Sequence, residues 1–264
     1  MYRSGILTLI HPTALIDPGA DLDPEVEVGP YSIIGAGVRI GGGTRVGPHV
    51  VINGPTSIGR NNQIFQFASV GEAPQDKKYR GEATRLEIGD DNVIREFATV
   101  HRGTAQDALV TRIGNDNLLM AYTHVAHDCQ IGNHVILANA ASLGGHVRVQ
   151  DWAILGGFTI VHQFCQIGAH SFCAMGSVLT KDVPPYVTVS GHPAKPYGIN
   201  AEGLRRREFS DQSIQHIRRG YKLLYKSALK LEEAVVAIRE LGRNHPEVEI
   251  LAAFVTGSAR SIIR

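Results

Sequence analysis

Leu22-Asp23-Pro24-Glu25-Val26-Glu27-Val28-Gly29-Pro30-Tyr31-Ser32-Ile33-Ile34-Gly35-Ala36-Gly37-Val38-Arg39-Ile40 is the stretch whose reading decides the fold. Every sixth residue here, Leu22, Val28, Ile34 and Ile40, is aliphatic. Counted outward in sixes, the series runs from Ile10 to Val70 without a miss. It resumes at Ile88, Ile94 and Val100, breaks with one residue out of step, and runs again from Ile113 to Leu179. Of these 26 positions, 25 are Ile, Leu or Val, and the exception is Cys173. A period of six fits neither a heptad nor a 3.6-residue helix. It fits a short strand followed by a tight corner, the sequence signature of a parallel β-helix. The fourth residue after each aliphatic is mostly small or β-branched (Ala14, Ser32, Thr44, Ala68, Cys129, Ala141, Cys165), which predicts a second inward position near a corner.

The pattern resembles the hexapeptide acyltransferase superfamily. That resemblance implies a left-handed parallel β-helix with three hexapeptides, 18 residues, to a triangular coil. The usual crossover rule alone would give the opposite hand. Coils stack about 4.8 Å apart. Cys129 and Cys165, two coils apart, are then out of disulfide reach, and all three cysteines read as small buried hydrophobes. The interruptions near 71–87 and 101–112 read as loops extruded from the solenoid. The first is polar and places Asp76 and Glu82 where aliphatics belong.

Past Pro184-Pro185 the repeat ends and a helical period begins. The sequence predicts a β-helix over 1–195 and a C-terminal helical domain over 196–264. Ser210 is the expected N-cap of a helix carrying Ile214, Ile217, Tyr221 and Leu224. A second helix is expected over Leu231–Leu241. A third should open on Pro246, whose fixed φ suits a first helical position.

Composition narrows the function. Lys+Arg is 26 and Asp+Glu is 25, so the chain lacks the basic excess of a nucleic-acid binder. No run of 18 apolar residues is present, hence no transmembrane helix is expected. Met1 to Ile10 carries one charge and a very short apolar run, a poor leader. Three cysteines without a paired framework point to a reducing cytoplasm.

The chemistry concentrates around Ala121-Tyr122-Thr123-His124-Val125-Ala126-His127-Asp128-Cys129, Gly144-Gly145-His146 and Val161-His162-Gln163-Phe164. Positions 127, 145 and 163 are 18 apart and fall in one column, with His124, His146 and His162 beside it. Two residues past an aliphatic is an outward corner position. Three readings follow. A histidine can be a general base, since imidazole titrates near neutrality. His124, His127 and His146 can be zinc ligands, as in carbonic anhydrases of the same repeat fold. Or these are surface histidines of a scaffold. Asp128 favours the base, because a carboxylate orients an imidazole and stabilises its cation. The other histidines, among them His11, His49, His134, His170, His216 and His245, read as exposed or structural.

The run His124 to Cys129 is one of several matching segments. The others are Ile64 to Glu72, His101-Arg102-Gly103-Thr104, Val161 to Cys165, Asp182 to Val187 and Asn200 to Arg207. Together they resemble the UDP-N-acetylglucosamine O-acyltransferase family over essentially the whole chain, loop and helical tail included. The resemblance implies a cytoplasmic homotrimer. It implies transfer of an (R)-3-hydroxyacyl group from acyl carrier protein to the sugar 3-hydroxyl, the first step of lipid A biosynthesis. There is no cofactor beyond the carrier's phosphopantetheine thioester, no metal and no acyl-enzyme. By position, His127 is the base, Asp128 its orienting partner and Gly145 the oxyanion donor. Asp76 and Lys78 contact sugar and acyl chain, and His124, His146, His162 and Gln163 hold the sugar nucleotide. Asn200, Glu202, Arg206 and Arg207 hold uridine and phosphates. A related N-acyltransferase carries an extra N-terminal uridine-binding domain, for which a repeat starting by Ile10 leaves no room. Whether the acceptor is UDP-N-acetylglucosamine or a 3-amino analogue stays open.

Met175, two past Cys173, is also an outward position. The resemblance makes it the end of the acyl groove, where some relatives carry Gly. It lies eight hexapeptides, 8/3 coils, beyond the turn of His127, an axial offset of roughly 13 Å. About ten bonds of extended chain cover that distance. The expected donor therefore has near ten carbons rather than fourteen.

Overall fold

The computed structural model describes residues 9–107 and 109–264. The opening stretch, residues 1–8, read above against a leader, and Ala108 in the second loop lie outside the described residues. The chain forms two compact units, Met1–Asn133 and His134–Arg264. Each contains left-handed parallel β-helix.

In the first unit, strands of two to four residues contain the sixth-residue aliphatics and pair in three parallel sheets. One sheet holds Leu15–Ile16, Ile33–Ile34, Val51–Ile52, Ser69–Glu72, Thr99–His101 and His124–Val125. Its register advances by 18 residues, as Leu15↔Ile33 and Ile33↔Val51 show. The step becomes Ser69↔Thr99 and then Thr99↔His124. The insertions are therefore 12 and 7 residues beyond a coil. Twelve is a multiple of six, which is why the phase survives the first loop and shifts by one at the second. The extruded segments are also shorter than the sequence suggested. Glu72 pairs with His101, and Arg85 with Val110, so both loop ends are drawn into the sheets.

The interior follows the sixfold rule. Val28, Ile34, Ile52, Ile64 and Leu119 are buried, and so are Ser32, Thr44 and Ala68 at the second inward position. Where that position is asparagine, Asn62, Asn92 and Asn117 form a buried ladder. The Nδ2 of Asn92 donates to Asn62 Oδ1 at 3.0 Å and that of Asn117 to Asn92 Oδ1 at 2.9 Å. These amides satisfy corner carbonyls such as Gly114 O and Gly132 O that would otherwise be stranded in the core.

The corners carry a feature the repeat count does not show. At many corners the third residue after the aliphatic lies in the left-handed region even where it is not glycine: Tyr31, His49, Phe67, Phe97, Tyr122, Asp128. A non-glycine residue there costs roughly 1–2 kcal/mol. Hydrogen bonds between coils offset it, such as His49 N–H to Pro30 O at 3.0 Å. So do stacked side chains. Tyr31, His49, Phe67, Phe97 and Tyr122 form one pile with centroids 4.8–5.2 Å apart, close to the coil spacing.

In the second unit the repeat continues through Ile136–Leu137, Ile154–Leu155 and Phe172–Cys173 to Val187–Gly191. Ala194–Ile199 then pairs antiparallel with that last strand and closes the sheet. Four helices follow: α1 (Ala201–Arg206), α2 (Asp211–Tyr225), α3 (Leu231–Gly242) and α4 (Pro246–Gly257). Ser210 caps α2 by accepting from Ser213 N–H, as its position predicted. Leu224, Ala234, Ile238, Val248, Leu251 and Ala252 form the core between α2, α3 and α4. The chain end returns to the solenoid: buried Asp182 accepts from Ser258 Oγ at 2.6 Å, and its N–H donates to Ser261 O. All three cysteines are buried, and none is in a disulfide.

Candidate active site

Asp128 stands at a left-handed corner, φ 60°, and its side chain is turned fully out of solvent. A buried carboxylate needs donors. It has them from the second extruded loop. Thr104 N–H lies 3.0 and 3.1 Å from the two carboxylate oxygens, and Thr104 Oγ1 donates to Oδ2 at 2.6 Å. The backbone N–H of Asp128 donates to Thr111 Oγ1. With the carboxylate so held, His127 Nδ1 donates to Oδ2 at 2.9 Å. A carboxylate only accepts, so the proton of the neutral ring sits on Nδ1 and the lone pair on Nε2. That is the tautomer a general base requires. His127 is outward in the repeat but its side chain keeps only 14% exposure.

Thr104 is the functional residue that counting missed. It sits in an interruption of the repeat and reaches back to Asp128 over 24 residues. Its signals in the sequence are the second loop and the matching segment His101-Arg102-Gly103-Thr104, neither of which shows the contact with Asp128. Gly103 beside it passes so close to Val110 N that a Cβ would collide, which explains the glycine.

Two further histidines of the same unit, His101 and His124, pack against each other. His124 Nδ1 is 2.7 Å from Thr99 Oγ1, and its ring meets His101 edge to face at 5.0 Å. Burial, then neighbouring His124, drives the His101 imidazole down to about 4, so it is neutral. Burial, then His127, also lowers His124. Asp76 and Lys78 sit on the first loop, where Asp76 Oδ1 accepts from Lys78 N–H at 2.9 Å. Arg102 ties that loop down, donating to Gly54 O, Gly71 O and the Tyr79 hydroxyl.

In the second unit, Gly145 is buried, and its carbonyl accepts from Phe164 N–H at 3.0 Å. Its own N–H has no hydrogen-bond partner among the described residues. His146 stacks on Phe164 with centroids 4.3 Å apart. His162 and Gln163 are exposed, with His162 Nδ1 3.1 Å from Gln163 O. Met175 is 79% exposed, which removes a core-packing role for it.

Asn200, Glu202, Arg206 and Arg207 converge with Ile154, Phe172 and Gly203 around a cleft of about 310 Å³. Asn200 caps α1 by accepting from Gly203 N–H and donates to His170 O. Arg206 meets Glu202 at 3.2 Å in a solvent-exposed pair, too screened to hold it firmly. Arg207 is set differently. Its guanidinium lies 5.1 Å over Trp152, with Nη1 3.3 Å from His170 Nδ1. Burial, then Arg207, holds His170 at about 4, so it is a neutral acceptor for that arginine.

Known proteins resemble this chain over most of its length. A profile described as UDP-N-acetylglucosamine O-acyltransferase, domain 2, matches residues 182–263. The bacterial transferase hexapeptide profile matches 8–42 and 111–145. The acyl-[acyl-carrier-protein]–UDP-N-acetylglucosamine O-acyltransferase of Halorhodospira halophila is 55% identical over 211 residues, 80% of this chain and 82% of that protein. Its counterpart in Alkalilimnicola ehrlichii is 57% identical over 198 residues, 75% of this chain and 77% of that protein. The solved UDP-N-acetylglucosamine acyltransferase of Francisella novicida has a TM-score of 0.95 at 41% identity, covering 97% of this chain and 94% of its own. The Moraxella catarrhalis enzyme has a TM-score of 0.95 at 45% identity, covering 97% and 100%.

Proposed function

The chain belongs to the UDP-N-acetylglucosamine O-acyltransferase family, and from that premise we propose that it acylates the sugar by direct attack, with His127 as general base. The reaction joins an acyl group from acyl carrier protein to UDP-N-acetylglucosamine and opens lipid A biosynthesis. His127 Nε2 takes the proton of the 3-hydroxyl as its oxygen attacks the thioester carbon. The carboxylate of Asp128 stabilises the imidazolium that results. The oxyanion is received by the Gly145 N–H. Collapse expels the phosphopantetheine thiolate, which takes the proton back from His127. The observation that carries this reading is the 2.9 Å bond from His127 to a carboxylate itself clamped by Thr104.

The buried cysteines support attack without an acyl-enzyme. Burial raises the Cys165 thiol to about 11 and the Cys173 thiol to about 12, away from the nucleophilic thiolate. Asp76 and Lys78 contact the sugar and acyl chain, and His124, His146, His162 and Gln163 hold the sugar nucleotide. Asn200, Glu202, Arg206 and Arg207 hold uridine and phosphates, with Arg207 already oriented and Arg206 able to swing from Glu202 to a phosphate, which it grips as a fork. The exposed Arg218, Arg219 and Lys222 of α2, with Lys226 at its C-cap, suit an acidic carrier protein. Family membership displaces the carbonic-anhydrase reading. The test is a mass-spectrometric product assay with a 3-hydroxyacyl carrier protein and either UDP-N-acetylglucosamine or its 3-amino analogue. An ester on the first acceptor supports the proposal; turnover of the amine alone, giving an amide, overturns it.

The working unit is a homotrimer, since a corner of one solenoid is too open to exclude water and a second subunit supplies the opposing wall. Sedimentation at assay concentration is expected to show a trimer; an active monomer would reject the shared site. Met175 ends the acyl groove, so the enzyme prefers a donor near ten carbons to one of fourteen. Forcing extra methylenes against a packed wall costs about 1–3 kcal/mol, some 5- to 150-fold in rate. Met175→Gly should shift kcat/KM toward the longer donor by a factor in that range. An unchanged chain-length ratio would remove Met175 as the ruler.

A further inference from the structure

We propose that His216, His245 and Glu247 form a zinc site that fastens α2 to the start of α4, independent of the acyl transfer. His216 lies in α2, His245 is the N-cap of α4 and Glu247 is in its first turn. Their donor atoms all fall within 4.8 Å of one another. Two imidazoles and a carboxylate are the donor set of a three-ligand zinc site with an open fourth position for water.

The distances suit the ion. Tetrahedral ligands about 2.0–2.2 Å from zinc stand roughly 3.4 Å apart. His216 Nδ1 and Glu247 Oε1 are 3.4 Å apart, long for a charge-assisted hydrogen bond and right for two ligands of one metal. The His245 ring lies against His216 with centroids 3.4 Å apart, 30° from parallel. One of its ring nitrogens lies within 4.8 Å of both other donor atoms, and no side-chain hydrogen bond engages the ring among the described residues.

Burial gives the cluster a reason to hold a cation. The side chains of His216 and Glu247 keep 10% and 16% of their exposure. The one ionic partner of Glu247 among the described residues is His216. The Glu247 carboxylate brings a negative charge into this half-buried cluster. One divalent ion balances it. The approach is also built into the helices. Gly220, one turn after His216, faces α4, where a Cβ would stand 3.2 Å from Leu251 Cδ2. Glycine weakens a helix relative to alanine, and here it lets α4 close on α2. Pro246, between the two α4 ligands, fixes the backbone at the helix entrance.

The experiment uses the full-length, tag-free protein, stripped of metal and titrated with zinc chloride by calorimetry. Cobalt(II) serves as the visible-absorption probe. One zinc per chain is expected, with a four-coordinate cobalt spectrum. The thermal midpoint should rise by roughly 5–10 °C at zinc 100-fold above Kd. His245→Gln and Glu247→Gln keep side-chain volume near the rim of the cluster and should retain the fold by circular dichroism. Each should weaken zinc by more than the 10- to 100-fold that loss of an outer-shell partner causes. His127→Ala should bind zinc as the parent does. No stoichiometric uptake by the parent, full uptake by both Gln variants, or loss of uptake on changing His127 would each overturn the site.

Discussion

His127→Ala is expected to lower kcat by about 10²- to 10⁴-fold, the contribution of a positioned general base. The loss should fall on kcat, because the proton moves only as the hydroxyl attacks. Folding should survive. The side chain lies at the edge of the coil, and its removal leaves Asp128 still held by Thr104 N–H and Oγ1. The check is steady-state turnover alongside sedimentation and thermal melting. More than about a tenth of parental kcat, well short of the base range, would show that His127 is not the base.

Asp128→Asn should be nearly as damaging, by a different route. The carboxylate accepts simultaneously from Thr104 and from His127. An amide can do both only with its oxygen at the Oδ2 position, and it carries no charge. If its NH₂ replaces Oδ2, it donates to His127 Nδ1, the ring proton moves to Nε2, and the base is lost. If its NH₂ replaces Oδ1, the Thr104 N–H faces a donor there and keeps only its 3.1 Å contact to Oδ2. The imidazolium then has no counter-charge. A fall in kcat of roughly 10²- to 10⁴-fold is expected either way. The double variant His127→Ala/Asp128→Asn should be scarcely worse than His127→Ala alone, because the pair acts as one unit. Additive losses in kcat would mean that Asp128 acts on something other than His127.

Much of the fold could be read directly because the repeat is local. A hexapeptide places its aliphatic inward wherever the chain has no better choice, so Ile34, Ile64 or Leu155 announces itself. The helices α2, α3 and α4 were equally legible, since an N-cap serine, a proline at the first position and an apolar stripe act within a turn or two. The left-handed corners were not. Tyr31, Phe97 and Trp152 have no intrinsic preference for positive φ and hold it only because neighbouring coils stack on them. The asparagine ladder escaped for the same reason, its rungs being 30 and 25 residues apart.

The candidate site divides along the same line. The sequence by itself determined that His127 has a carboxylate beside it and that Gly145 and Gln163 follow at coil-length intervals, because adjacency and period are properties of the chain. Only the tertiary structure decided the protonation pattern of that histidine. The tautomer depends on where the Asp128 oxygens point, and they are aimed by Thr104, 24 residues away on a loop outside the repeat. Likewise, the neutrality of His101 and His170 and the seating of Arg207 over Trp152 come from burial and from neighbours remote in sequence. Desolvation and directed hydrogen bonds act through space, and a linear pattern carries no record of them until the chain has folded.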